Sequence, residues 1–387
     1  MFVAVFSKRR LQSYLCIMAH RITYKPQGRL LSSAVGELTV AVDGDFVDVT
    51  LTAAGGIVIL SERYYPYGGY VTLYDLGSLI EAEMRTSGLS TADFTLRVFS
   101  DTQNNKADSC VLHILYCDRF TVCTDIPAFL RENFLTTLSM RRVAPGSTLS
   151  LFFYAEQGES IAYNVAHSFR KTGSDVIFQH TIIADSGKTA ASSGVVQINI
   201  SLSSVIADAA SFATVRLGDI TLLSFTVRCG QRSISCFVDY SLDDRETFYF
   251  RNCFNVFDFA TLPVLTTAKT DVDRSLAVIN GKSQFYNHST TKTYEAEATR
   301  LTSDEAGWID QLFSSYDVFR IEPDATNPDE PLVLAPVLIT DCTCEIHDGD
   351  EKLNTVKFTW RHTDNRPIVR LSASPGIFTS PYNIVYS

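Results

Sequence analysis

The sequence predicts a mainly β protein: two tandem β-sandwich-like modules, followed by an α+β domain in which one capped helix packs on an antiparallel sheet. Three observations predict it. From Gly36 onward, short runs alternate apolar and polar residues and are punctuated by turns such as Asp43-Gly44-Asp45 and Gly55-Gly56, the pattern of half-buried strands. The 25 Phe and 17 Tyr, set against only 12 Pro, suit aromatic-rich strands. One stretch, residues 301–321 (LTSDEAGWIDQLFSSYDVFRI), carries the strongest helix signal. Thr302 and Glu305 form the T-x-x-E capping box, Leu301 and Ala306 are placed as a hydrophobic staple, and Asp304 and Glu305 lie at the positive end of the helix dipole. Trp308, Ile309, Leu312 and Phe313 then make one apolar stripe, which a sheet must cover.

The order of elements follows from the same signals. Residues 71–88 run from a strand into a short helix ending at Gly88, and two strands follow, DFTLRVFS and CVLHILYC. Residues 194–208 echo that plan, with ATVRLGD standing where FTLRVFS stood and ITLLSFTVRC where CVLHILYC stood, so an internal repeat is expected. IPAFLRENFL reads as a short linking helix followed by a strand. Near the C-terminus, Cys342, Cys344 and Ile346 share one strand face, and Val356, Phe358 and Trp360 share one face of the return strand. Both sets point inward only if the loop holds an odd number of residues, which His347-Asp348-Gly349 supplies. The expected divisions are an N-terminal extension at 1–30, modules at 31–125 and 126–238, an α+β assembly domain at 239–370 and a tail at 371–387.

At 387 residues the chain exceeds one ordinary core. Hydrophobic residues at 45% and charged residues at 20% describe a folded chain, and a net charge of −10 argues against general nucleic-acid binding. No apolar run approaches the roughly 20 residues needed to span a bilayer. The N-terminus is apolar then basic, the reverse of a secretory signal. Met18 offers a second start, so residues 1–17 are expected to be a disordered or mis-assigned extension. The nine cysteines contain no C-x-x-C and mostly sit in apolar runs, as reduced core thiols do.

Candidate chemistry is sparse. Asp185-Ser186-Gly187-Lys188-Thr189 contains SGKT, but Ile182 stands where a phosphate loop needs glycine and no helix-forming run follows, so it reads as a polar turn. Ser168 and Lys171 match S-x-x-K without the partner motifs. Cys342, Cys344 and His347 lack a fourth zinc ligand, and the acidic loops at 241–246, 324–330 and 348–351 lack calcium-loop spacing. The seven histidines are scattered. No catalytic residue, cofactor or metal is assigned. The aromatic turn Tyr64, Tyr65, Tyr67 and Tyr70 is the one candidate contact for a glycan or partner chain.

Four blocks of the C-terminal third carry a resemblance: FYFRNCFNVFDFATLP, SLAVINGKSQFYN, LTSDEAGWIDQLFSSYDVFRI and VLITDCTCEIHDGDEKLNTVKFTWRHTDNRP. Over residues 237–367 the chain resembles structural, tail- or baseplate-associated proteins of tailed phages and prophages of gut Bacteroidetes. That resemblance implies a non-enzymatic virion protein, assembled in a bacterial host cytoplasm. Its expected partners are other virion or tail proteins and copies of itself, with the first two units as decorating modules. The alternative expectation is a surface or receptor-binding β-sandwich module that recognises glycan or protein. An enzyme and an uncharacterised scaffold are the remaining readings.

Overall fold

A computed structural model describes residues 20–99, 107–119, 125–240, 245–323, 332–345 and 354–364, and the chain is mainly β. The first module contains β1 (Arg21–Ile22), β2 (Arg29–Leu31), β3 (Leu38–Ala41), β4 (Val47–Ala53), β5 (Val58–Tyr64), β6 (Tyr70–Leu73), α1 (Leu76–Ser87), β7 (Thr91–Phe99) and β8 (Asp108–Leu115). Its strands form a three-stranded sheet, β1-β3-β6, facing a five-stranded sheet, β2-β8-β7-β4-β5, in which only β2 and β8 are parallel. Alternate residues of β4 and β7 (Val47, Val49 and Leu51; Phe94, Leu96 and Val98) close the core, and α1 adds Leu76, Ile80 and Met84. Residues 20–30, expected to belong to the extension, instead supply β1 and β2 to the two sheets. The expectation for residues 1–17 lies outside the described residues.

The second module repeats the scheme. It comprises α2 (Ile126–Glu132), β9 (Met140–Val143), β10 (Thr148–Ala155), β11 (Tyr163–Lys171), β12 (Ile177–Ala184), β13 (Gly194–Ser201), α3 (Leu202–Ala213), β14 (Ile220–Cys229) and β15 (Arg232–Val238). Asp125 caps α2 by accepting from the Ala128 amide at 2.9 Å. The pair β10-β13 faces β12-β11-β14-β15-β9, again with one parallel pair, β9 and β15, at the edge. Apart from β1, which has no counterpart, this is the strand order of the first module. The expected alignment slipped by one strand in its second half. β14 takes the place of β7, β15 takes the place of β8, and ATVRLGD holds only the end of α3 and a 3₁₀ turn, Leu217–Asp219. Strands of equal period look alike in a string, and only their pairing separates them.

The third module is a closed antiparallel barrel. Its strands are β16 (Arg245–Arg251), β17 (Phe257–Ile279), β18 (Lys282–Leu301), β19 (Val318–Pro323), β20 (Leu332–Glu345) and β21 (Asn354–His362), in the order β16-β17-β18-β21-β20-β19. The expected sheet therefore curls until β19 pairs with β16, which removes its edges. Between β18 and β19 lies α4 (Ser303–Ser314). Its capping box forms as expected: the Glu305 amide donates to Thr302 Oγ1 at 3.1 Å, and the Thr302 amide donates to Glu305 Oε2 at 2.9 Å. Trp308, Ile309 and Leu312 are buried on the barrel with Leu301 and Ala306, whereas Phe313 is only partly covered.

In the β20–β21 pair, Cys342 lies opposite Phe358 and Cys344 opposite Val356, so the two sets do share a face. Pairing ends at Glu345 and Thr355, and the expected His347-Asp348-Gly349 turn lies outside the described residues. A register shift between Ile339 and Asp341 lies just before this segment; Cys342 is exposed and only Cys344 is half-buried, its thiol 3.7 Å from the Ala306 carbonyl.

Candidate functional site

The turn between β16 and β17, Asn252-Cys253-Phe254-Asn255, binds all three modules together. Asn255 has a left-handed backbone (φ 56°), and its side-chain amide donates to the carbonyls of Met84 (3.1 Å) and Leu89 (3.0 Å), satisfying the C-terminal end of α1. Gly88 ends that helix at φ +68°, with the Arg251 guanidinium 3.2 Å from where a Cβ would stand. The Asn252 amide group donates to the Leu135 carbonyl at 2.8 Å, and the Cys253 amide donates to Gln311 of α4 at 3.0 Å. A shared apolar cluster joins Leu115 and Cys117 of the first module, Leu130 and Tyr154 of the second, and Phe254 and Val256 of the third. Within it the Cys117 thiol donates to the Arg119 carbonyl at 3.5 Å. Its interaction with the neighbouring Cys253 thiol holds Cys117 down and, with burial, pushes Cys253 up.

A second buried contact lies one strand away. Asp258 of β17 meets Arg141 of β9 twice, at 2.6 and 2.7 Å, and accepts from the Trp308 indole at 3.1 Å. Both side chains are almost fully buried, so the charge pair holds only while both partners are present. Beside it, a groove of about 590 Å³ runs between the second module and the barrel. Its lining charges answer one another: Arg142 faces Glu305 at 3.3 Å, and Arg320 faces Glu246 at 3.4 Å. The groove reads as a joint between modules.

What this joint holds is a long arm. The first half of β17 buries alternate residues, Asp258, Ala260, Leu262 and Val264, in the barrel. Beyond Val264 the hairpin leaves the barrel, and of residues 265–292 only Ser275, Ala277 and Thr290 are even half-covered. β17 and β18 pair continuously from Val264 with Ala298 to Ile279 with Lys282. At about 3.3 Å per residue, the ribbon projects about 50 Å. Asn280 (φ 53°) and Gly281 (φ 74°) close it as a two-residue turn, for which Asn-Gly is the preferred pair. A bulge between Ser275 and Leu276 leaves Tyr286 as the extra residue of β18.

The arm has two unlike faces. One carries Val272, Leu276, Val278 and, opposite Leu276, Phe285, with the Arg274 guanidinium 5.2 Å over the Phe285 ring; Leu276, Val278 and Phe285 are 57%, 70% and 59% exposed. The other carries Lys269, Asp271, Asp273 and, opposite Lys269, Thr293, with Leu265 and Ile279 at its two ends. Sequence reading missed the arm, although Asn280-Gly281 between two alternating runs was the signal for it.

The expected aromatic contact is a separate feature of the first module. Tyr67 and Tyr70 form an isolated antiparallel bridge across Gly68-Gly69. Tyr65 (74%) and Tyr67 (95%) stand in solvent with Tyr70, while Tyr64 packs on the core edge and donates its hydroxyl to Glu62. Burial and the Glu62 carboxylate together push the Tyr64 phenol up to about 12. SGKT is a turn in which Lys188 pairs with Asp185, and Ser168 and Lys171, three apart on β11, face opposite sides. All seven cysteines among the described residues are free. The acidic stretches 324–330 and 348–351, and residues 241–244, lie outside the described residues. Of the histidines, the fold brings two together: His167 and His180 are direct partners across β11 and β12.

No family model and no curated protein matches the chain. Among solved structures it is similar to the native conformation of E. coli alpha-2-macroglobulin, with TM-score 0.20 and 8% identity over 74% of this chain and 22% of that one. It is similar to a mutant Salmonella alpha-2-macroglobulin at TM-score 0.20 and 9% identity, covering 89% of this chain and 27% of that chain. The calcium binding domain CBD12 of CALX1.1 follows at TM-score 0.16 and 13% identity, covering 52% and 75%. The chain spans about a quarter of the length of the macroglobulins it matches.

Proposed function

We propose that this chain is a non-enzymatic structural protein that works by assembling with further copies of itself. The setting is the one that the resemblance of residues 237–367 implies, the tail or baseplate of a tailed phage or prophage, with other virion proteins as neighbours. The observation that carries the reading is the arm. A two-stranded ribbon alone is marginal in water, and this one leaves four large apolar side chains of one face uncovered. Burying each such side chain fully is worth about 1.5–3 kcal/mol, so a covering partner stabilises both the contact and the arm. A joint cemented by Asp258, Arg141 and the Asn252–Asn255 turn suits an element that must be held out at a fixed angle.

Size-exclusion chromatography with light scattering tests this. The native chain is expected to run as a closed oligomer, and the double substitution Leu276→Asp with Phe285→Asp is expected to run as a folded monomer. A native chain that stays monomeric at tens of micromolar removes the reading.

The second reading, a module that recognises glycan or protein, is favoured by the exposure of Tyr65, Tyr67 and Tyr70 on one tight turn. It predicts saturable binding on a glycan array that Tyr67→Ala weakens by about tenfold, on the order of one lost aromatic contact. An array with no binding rejects the glycan form of that reading.

A further inference from the structure

The two sandwich modules share a strand scheme, and in each an inner strand buries residues opposite an edge strand. In the first module, Val49 of β4 is buried opposite Glu62 of the edge strand β5. In the second module, His167 of β11 is buried opposite His180 of the edge strand β12. Asp208 of α3 reaches both. Its Oδ2 lies 2.8 Å from His180 Nδ1 and 3.6 Å from His167 Nε2, and the three atoms all lie within 4.8 Å of one another.

The His167 side chain is fully buried, and its Nε2 has no hydrogen-bond partner. Its Nδ1 lies 3.5 Å from the Val165 carbonyl, a hydrogen-bond contact when the ring carries its proton on Nδ1. In that tautomer the buried Nε2 lone pair has no hydrogen-bond partner and points at Asp208 and His180, as a ligand atom would.

We infer that His167 Nε2, His180 Nδ1 and Asp208 Oδ2 bind one divalent borderline transition ion of the zinc class, bracing α3 against β11 and β12. Two imidazoles and a carboxylate suit Zn²⁺, Co²⁺ or Ni²⁺ better than Ca²⁺ or Mg²⁺. With bonds of about 2.0–2.1 Å, tetrahedral ligands stand about 3.4 Å apart, and the two spacings to Asp208, 2.8 and 3.6 Å, straddle that value. The Nδ1–H of His167 directed at a backbone carbonyl is the outer contact that ligating histidines usually make. His180 binds through Nδ1 as the neutral tautomer that carries its proton on Nε2, so the ring keeps one proton and Asp208 supplies the anionic ligand. His180 and Asp208 are each about one-third exposed, so water completes the coordination.

The full chain, stripped with chelator, is titrated with Zn²⁺ alone by calorimetry and with Co²⁺ alone by visible absorption. The expected result is one ion per chain, a four-coordinate Co²⁺ spectrum without thiolate charge-transfer bands, and a thermal midpoint that rises with Zn²⁺. Asp208→Asn and His180→Gln should each weaken binding by about tenfold or more and abolish the shift in midpoint. His167→Val, which puts an apolar β-branched side chain on the buried strand face, should fold without metal and bind none. Cys342→Ser with Cys344→Ser should bind as the native chain does. Uptake that survives Asp208→Asn and His180→Gln, uptake lost with the cysteine pair, or no uptake by the native chain would each overturn the inference.

Discussion

β17 is one strand in two environments, and the contrast between its halves carries the functional reading. From Phe257 to Val264 it alternates buried and half-buried residues, closes a barrel and supplies Asp258 to the joint. From Leu265 to Ile279 it keeps the same partner, β18, yet among the described residues nothing else covers it. The first half obeys the ordinary rule that strand faces are buried within one chain. The second half breaks it, leaving Val272, Leu276 and Val278 exposed, and the proposed assembly with further copies accounts for that contrast.

If that contrast is right, substitutions in the two halves fail in different ways. The largest effect is expected at the joint. Asp258→Ala strands Arg141 as a buried unpaired charge and removes the acceptor of the Trp308 indole, at a cost of about 3–5 kcal/mol in denaturant unfolding. A loss below about 1 kcal/mol would mean that the joint is not closed in solution. A smaller effect is expected at the arm's tip. Gly281→Val forces a β-branched residue to φ 74°, costing about 1–2 kcal/mol locally. Cleavage of the arm by a dilute protease should then accelerate about 5- to 30-fold, while the unfolding midpoint of the body stays put. Least disturbing to the fold is the pair Leu276→Asp and Phe285→Asp, expected to change monomer stability by less than about 0.5 kcal/mol while abolishing assembly.

The legible parts of this fold are those whose cause is local. The capping box spans Thr302 to Glu305, and the strand-to-helix step ending at Gly88 is written in adjacent residues, so both could be read directly. The repeat was visible as strings, but matching stopped being reliable once loops of different length shifted one alternating run against another. The barrel's closure needs β19 to find β16, about 70 residues away, and no local pattern announces it. Asn252 and Asn255 could not be picked out, because a side chain that donates to a carbonyl of another module leaves no periodic trace. His167 and His180 are thirteen residues apart, and only the β11–β12 register makes them neighbours. The arm is the instructive miss. Its Asn-Gly turn was in plain view, but solvent on both faces cannot be inferred from alternation, which assumes that one face is covered.

Hydrogen exchange on the native chain across a dilution series tests the central claim most directly, because both halves of β17 are read in one experiment. Amides of residues 266–279 are expected to be protected at concentrations where the chain is assembled and to lose that protection on dilution, while those of residues 258–264 stay protected throughout. Arm amides that exchange at one unchanging rate across the series would contradict the account.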